Sequence, residues 1–73
     1  MIYISTTHNK IVYIELIDKV EKFEVPGSFG ISFTFNNRNT AMWLYREIHL
    51  RDQEYHEVNN ICNNYQKEKL VGT

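Results

Sequence analysis

The feature that most constrains the fold is a change of hydrophobic period near residue 36. Between Phe29 and Phe35 large apolar residues occupy alternate positions, which is the spacing of a half-buried strand. From Ala41 onward apolar residues recur every three or four positions, which is the spacing of an amphipathic helix. The sequence therefore predicts a small sheet followed by a carboxy-terminal helix, with an asparagine-rich connection between them.

Two apolar runs near the amino terminus predict a first hairpin. Ile2 and Ile4 lie at alternate positions, residues 7–9 are polar turn formers, and Ile11–Ile17 is long enough for a second strand. Residues 18–19 are a short polar break after that strand. This pattern favours two antiparallel strands joined by a tight turn.

A second pair of strands follows. Val20–Val25 predicts a third strand with a bulge or a late start near Lys22, because its first valine is out of phase with the later apolar residues. Pro26 and Gly27 supply the fixed φ and the positive φ of a type II turn. The predicted buried face of the fourth strand consists of Ile31, Phe33 and Phe35.

The helix should begin after the fourth strand, with Asn37 as the best N-cap and Asn39 as the competing choice. A straight helix over residues 38–69 would measure roughly 45 to 50 Å, which is longer than so small a sheet can cover. It therefore either bends or breaks near Asp52, or its distal half projects, and residues 71–73 should fray. The predicted sheet-facing stripe consists of Ala41, Leu44, Ile48, Tyr55, Val58, Cys62 and Tyr65.

Length and composition bound the class of protein. The 73 residues form one small α+β domain, with a four-stranded antiparallel meander in residues 1–36 and a long or bent helix in residues 37–70. The formal net charge of -1 argues against nucleic-acid or acidic-membrane binding. Neither a charged leader nor a membrane-length apolar run is visible, so we expect a cytoplasmic protein.

The titratable residues do not predict a catalytic or metal site. His49 and His56 lie two helical turns apart, roughly 10 Å, so both cannot bind one ion on a straight helix. A single cysteine, Cys62, excludes an internal disulfide and a multi-cysteine zinc site. We expect no enzyme activity, no metal and no cofactor.

The residues that we expect to carry function are Trp43, Leu50 and Ile61. On a helical wheel they lie about 100 to 120° away from the predicted sheet-facing stripe. Large apolar residues outside that stripe are candidates for a protein-binding surface, and tryptophan is common at interface hot spots. The equally weighted alternative is that Trp43 folds over the edge of the small sheet, since small domains need every apolar side chain.

Two other functions stay open at this point. The spacing of Tyr55, Val58, Cys62 and Tyr65 is compatible with a dimer seam, which would make the chain a self-assembling structural protein and a homodimer. Single-stranded nucleic acid could stack on aromatic residues of an open sheet face, although few basic residues support this. The aromatic residues concerned are Tyr3, Tyr13 and Phe23.

One segment resembles a family. Over residues 17–48 the chain is similar to a loose class of short uncharacterised phage and bacterial proteins. The resemblance implies a sheet backed by one helix, and an accessory protein that binds and modulates or inhibits a host protein in the host cytoplasm. It covers under half of the chain and transfers no functional residue. The residues that carry it are Ile17–Val20, Phe23, Ile31–Phe35 and Ala41–Ile48.

Overall fold

The computed structural model describes the backbone of residues 1–71 and the side chains of residues 1–67. It contains two antiparallel sheets and one helix, which confirms the α+β class and corrects the predicted single four-stranded meander. Fraying was predicted for residues 71–73: the backbone of Val71 belongs to the helix, and Gly72 and Thr73 lie outside the described residues. In chain order the elements are β1 (Ile2–Ser5), β2 (Lys10–Tyr13), a 3-10 turn (Ile14–Leu16), β3 (Ile17–Val25), β4 (Ser28–Phe35), β5 (Thr40–Tyr45) and α1 (Ile48–Val71).

Strands β1 and β2 form the predicted first hairpin. Ile2 lies opposite Tyr13 and Ile4 lies opposite Ile11. Side chains alternate across each strand, so the two faces of the hairpin have different neighbours. The buried residues of its inner face are Tyr3, Ser5 and Val12.

The predicted second strand was too long. Its apolar run is divided, because β2 ends at Tyr13, a 3-10 turn follows, and β3 begins at Ile17. A 3-10 helix has three residues per turn, so Ile14 and Ile17 reach the same side of the chain. Both are buried. The run is mostly apolar, and each of the three elements contributes one buried residue to the core: Val12, Ile14 and Ile17.

Strands β3 and β4 form a second hairpin around Pro26 and Gly27. Gly27 has a φ of +80°, the left-handed conformation that the third position of a type II turn requires. The register of β3 shifts between Ile17 and Lys19, so the predicted irregularity is present but lies nearer the start of the strand. The polar residues 18–19 belong to β3 and do not interrupt it.

The structure corrects the position at which the helix begins. Residues 36–39 form the turn of a third hairpin, and Thr40–Tyr45 is strand β5, antiparallel to β4. The Asn37 side chain accepts a hydrogen bond from the Asn39 amide at 3.0 Å, so it forms a local Asx turn in place of the predicted helix cap. The sheet therefore extends to Tyr45, and the helix begins at Ile48.

Within this turn, Arg38 adopts a φ of +72°. The left-handed conformation costs a residue with a Cβ roughly 1 kcal/mol, a cost that glycine avoids. We expect Arg38→Gly to raise the free energy of unfolding by roughly 0.5 kcal/mol, after allowance for the greater freedom of glycine in the unfolded chain. Urea denaturation measures this change. The control Asn39→Gly should lose stability, and a loss in Arg38→Gly would contradict the expectation.

The later start of α1 removes the length problem that the sequence raised. Its 24 residues span roughly 36 Å, compared with the 45 to 50 Å expected of the longer helix. The helix continues through Asp52, so the predicted break at that residue is absent. Within the described residues, no helix is both long and apolar enough to cross a membrane.

The core lies between α1, the inner face of the β3–β4–β5 sheet and the inner face of the first hairpin. Phe33 in the central strand and Val58 in the helix are fully buried. The Phe33 and Trp43 rings meet edge to face, with centroids 4.7 Å apart. Because β1 and α1 both contact this core, their polar residues are brought together at its margin.

Candidate functional site

A polar cluster around a buried carboxylate joins the first hairpin to the helix and to β5. We call it the Glu54 cluster; its members are Ser5, Thr7, Tyr45 and Glu54. Ser5 ends β1, Thr7 lies in the turn that follows, and Tyr45 ends β5. Glu54 comes from the second turn of α1 and is only 4% exposed. A carboxylate at this depth requires hydrogen-bond donors.

Both carboxylate oxygens of Glu54 accept hydrogen bonds. Oε1 accepts from the Ser5 hydroxyl at 2.6 Å and from the Tyr45 hydroxyl at 2.7 Å. Oε2 accepts from the Thr7 hydroxyl at 2.7 Å and from the Thr7 amide at 3.3 Å. A carboxylate offers about four acceptor positions, so these four bonds use its full capacity. The Glu54 cluster is therefore a complete network around one anion.

The ionisation of the cluster follows from burial and hydrogen bonding. Burial raises the pKa of the Glu54 carboxyl, but the bonds from Ser5, Tyr45 and Thr7 outweigh burial and hold this pKa below its ordinary value. Burial, and then the bond to Glu54, raises the pKa of the Tyr45 phenol. At neutral pH Glu54 is charged and Tyr45 keeps its proton. A carboxylate with all its acceptor positions occupied suits a structural connection better than proton transfer.

The His8 ring lies beside the Glu54 cluster and packs against two aromatic side chains. Its ring meets the Tyr45 ring edge on, with centroids 4.6 Å apart, and its centroid lies 6.0 Å from that of Trp43. The His8 amide donates to the Ser5 hydroxyl oxygen at 3.1 Å. Its Nε2 atom is buried and has no hydrogen-bond partner within the described residues.

A polar groove of about 310 Å³ lies between β1 and the first turns of α1. At one side the Tyr3 hydroxyl donates to Oε1 of Glu57 at 2.9 Å. Burial, and then this bond, raises the pKa of the Tyr3 phenol. Ile4 and Leu50 supply the apolar part of the groove. Among the described residues, no group of three or more acidic, histidine or cysteine side chains is placed to hold a metal ion.

Arg51 is a second buried charge, one turn before Glu54. Its Nη1 donates to the main-chain oxygens of Phe23 at 3.0 Å and Gly30 at 3.2 Å. Its Nε donates to the Asp52 carboxylate at 2.8 Å. Arg51 therefore joins α1 to β3 and β4, while Glu54 joins α1 to β1 and β5.

The outer side of the first hairpin carries an exposed apolar surface. We call it the hairpin face, and its residues are Ile2, Ile4, Ile11 and Tyr13. They form two neighbouring cross-strand pairs, and their exposure ranges from 44% to 56%. No charged residue stands among them. A contiguous apolar surface of this kind is typical of a binding surface for another protein.

The predicted binding residues do not form one surface. Trp43 lies in strand β5, not in a helix, and its side chain is only 6% exposed. This agrees with the alternative interpretation, in which Trp43 packs against the sheet. Its ring contacts Phe33 and Tyr3. Leu50 is half-buried beside the polar groove, and Ile61 is half-buried three turns further along α1. Trp43 therefore offers little surface to a partner.

The predicted dimer seam faces the chain's own core. Val58 and Cys62 are buried there, and Tyr55 and Tyr65 pack against them from the margin. Burial raises the pKa of the Cys62 thiol. Packing within the chain explains the spacing of these four residues, and no dimer is needed to account for it.

The predicted aromatic platform is also divided. Tyr3 faces the core and Tyr13 faces outward, although both belong to the first hairpin. Phe23 belongs to the other sheet, where its ring lies over Gly30. These three rings therefore share no open face on which successive bases could stack.

Four residues of these polar contacts were not predicted from the sequence: Ser5, Thr7, Arg51 and Glu54. A signal for two of them was present, because Arg51 and Glu54 are in phase with the apolar residues Val58 and Cys62 on one side of the helix. Charged residues on a buried stripe are rare unless they are paired. No such signal marks Ser5 or Thr7, whose partner is remote in the chain.

Comparison with known proteins adds no assignment, because no family model, curated protein or solved structure matches this chain.

Proposed function

We propose that this chain is a non-enzymatic protein-binding module that holds another protein on its hairpin face. The observation that supports this is the pairing of Ile2 with Tyr13 and of Ile4 with Ile11 on an outward-facing, uncharged surface. Leaving four large side chains in water has a cost that association removes, at about 25 cal/mol for each Å² of apolar area. The partner is proposed to be a host protein that presents an apolar surface of its own.

The rigidity of the hairpin supports the same proposal. A lone two-stranded hairpin is marginal in water, but here Ser5 and Thr7 bind Glu54, and Tyr3 binds Glu57. These bonds hold the hairpin against α1, so its outer residues need little ordering when a partner arrives. Less ordering on binding leaves more of the contact free energy as affinity.

The test is to compare partner binding by the wild-type chain with that of Ile11→Lys. Lysine at position 11 places a charge on the hairpin face directly opposite Ile4, and we expect affinity to fall by at least about tenfold, or 1.4 kcal/mol. The partner is first captured from a bacterial lysate, identified by mass spectrometry and purified. Its dissociation constants are then measured by titration calorimetry.

Val25→Lys is the matched control, because it also replaces an exposed aliphatic strand residue but lies on the other sheet. It should bind as the wild type does. Circular dichroism of both variants checks that they are folded. Capture of no protein by the wild type, or equal binding by Ile11→Lys, would refute the proposal.

A further inference from the structure

Strand β5 is an edge strand of the three-stranded sheet. The strands of this sheet lie in the order β3–β4–β5. Within the described residues, no backbone hydrogen bond joins β5 to a strand other than β4. The free side of such a strand carries unpaired main-chain donors and acceptors, which can pair with a further strand. This edge is separate from the hairpin face, so the inference goes beyond the proposed function.

The two edges of this sheet differ in charge. The β3 edge carries five charged residues, which is a common protection against pairing with another strand. The six residues of β5 carry none. Its outward side chains Met42 and Leu44 are 64% and 50% exposed. The β3 edge is thus protected against pairing with another strand, whereas the composition of β5 favours such pairing. The charged residues of β3 are Asp18, Lys19, Glu21, Lys22 and Glu24.

We infer that β5 pairs with β5 of a second copy of this chain. An antiparallel pair related by a two-fold axis would place Met42 of one copy beside Leu44 of the second copy on the same face. No charge meets a like charge in that arrangement. The same operation centred on Glu21, the middle residue of β3, would place Glu21 beside its own copy and Asp18 beside Glu24 of the second copy, which is unfavourable. The dimer therefore closes, because both outer edges of the joined sheet are charged β3 strands.

The composition of β5 supports a second copy as the occupant, because its two-fold pair brings together no charged side chains and leaves two exposed apolar side chains in contact. One six-residue edge is a small interface, of the class below about 1,200 Å², so we expect a weak dimer that forms between about 10 µM and about 1 mM.

Sedimentation velocity from about 10 µM to about 1 mM, a range that brackets weak association, tests the inference. The wild type should shift from monomer to dimer, and Met42→Lys should weaken dimerisation at least about tenfold. The control Val25→Lys, on the protected edge, should dimerise as the wild type does. A wild type that stays monomeric at the highest concentration, or a Met42→Lys variant that dimerises equally well, would overturn the inference.

Amide hydrogen exchange on the wild type keeps the test decisive even if Met42→Lys fails to fold. Protection of the β5 amides should increase with protein concentration, while that of the β3 amides should not. A dimer whose β5 amides exchange at the same rate at all concentrations would use another surface, and would also overturn the inference. Loss of dimer in Ile11→Lys alone would assign the dimer to the hairpin face.

Discussion

Replacing Glu54 with alanine should lower the free energy of unfolding by about 3 to 4 kcal/mol, because the buried hydroxyls of Ser5 and Tyr45, and the hydroxyl and amide of Thr7, lose their common acceptor. A domain of this size has only roughly 3 to 5 kcal/mol of stability in total. Glu54→Ala should therefore keep at most about 2 kcal/mol of stability and unfold at a much lower urea concentration than the wild type. Glu54→Gln keeps the shape and an acceptor oxygen, so its loss should be smaller and measurable by urea denaturation.

The pH dependence of stability separates the charge of Glu54 from its shape. Its pKa is lower in the folded chain than in the unfolded chain. The stability that it contributes is therefore complete above the unfolded value of about 4.3 and is lost as the pH falls through the lower folded value. The hydrogen bond from Arg51 also holds the pKa of Asp52 below its ordinary value, so part of the stability that is lost in acid comes from Asp52. Glu54→Gln should thus reduce the acid-dependent loss without abolishing it.

Glu57→Gln is the matched control for this prediction, because Glu57 is an exposed carboxylate one turn away with a single hydrogen bond from Tyr3. It should lose well under 1 kcal/mol. If Glu54→Gln were as stable as Glu57→Gln between pH 3 and pH 7, the Glu54 cluster would not stabilise the fold as argued.

Replacing Arg51 with methionine should cost about 3 kcal/mol. Methionine preserves most of the buried stem, but the main-chain oxygens of Phe23 and Gly30 lose the donor at Nη1. Those oxygens lie on two strands, so the loss of their hydrogen bonds from Arg51 should also raise the exchange rates of amides in the β3–β4 hairpin. Chemical denaturation and hydrogen exchange on the same sample measure the two effects.

Arg46→Met controls for the loss of an arginine, since Arg46 is exposed. Its free energy of unfolding should change by less than about 0.5 kcal/mol. Arg51→Lys retains the charge but not the planar fork, and should lie between the wild type and Arg51→Met. Equal stability of Arg51→Met and Arg46→Met would show that the carbonyl contacts are not stabilising.

Local signals predicted the first hairpin, the turn at Pro26 and Gly27, and the buried face of β4. Each depends on neighbours in the chain, such as the alternation of Ile31, Phe33 and Phe35. The start of the helix was not predictable in the same way. Ala41 and Leu44 fit a helical period that continues to Ile48, while Ala41, Trp43 and Tyr45 fit a strand period equally well. Pairing with β4, a tertiary contact, decides in favour of the strand.

The same ambiguity affects the position of Trp43. A helical wheel puts Trp43 off the apolar stripe, whereas in β5 its side chain faces inward, as does that of Tyr45. To predict the Glu54 cluster, one would need to know which strand ends contact which turn of the helix. Neither the hydroxyls of Ser5 and Thr7 nor the position of Glu54 carries that information alone. Only the charged residues within the helical stripe indicated that a polar contact was buried there.

The sequence separation of the cluster has a consequence for folding during synthesis. Ser5 and Glu54 are 49 positions apart, and Tyr3 and Glu57 are 54 positions apart. Contacts between remote positions form late, because a long segment must first be brought together. The first hairpin emerges from the ribosome well before the helix that holds it in place. Until that helix is made, the inner face of the hairpin is open to chaperones, and docking of α1 ends that period of exposure.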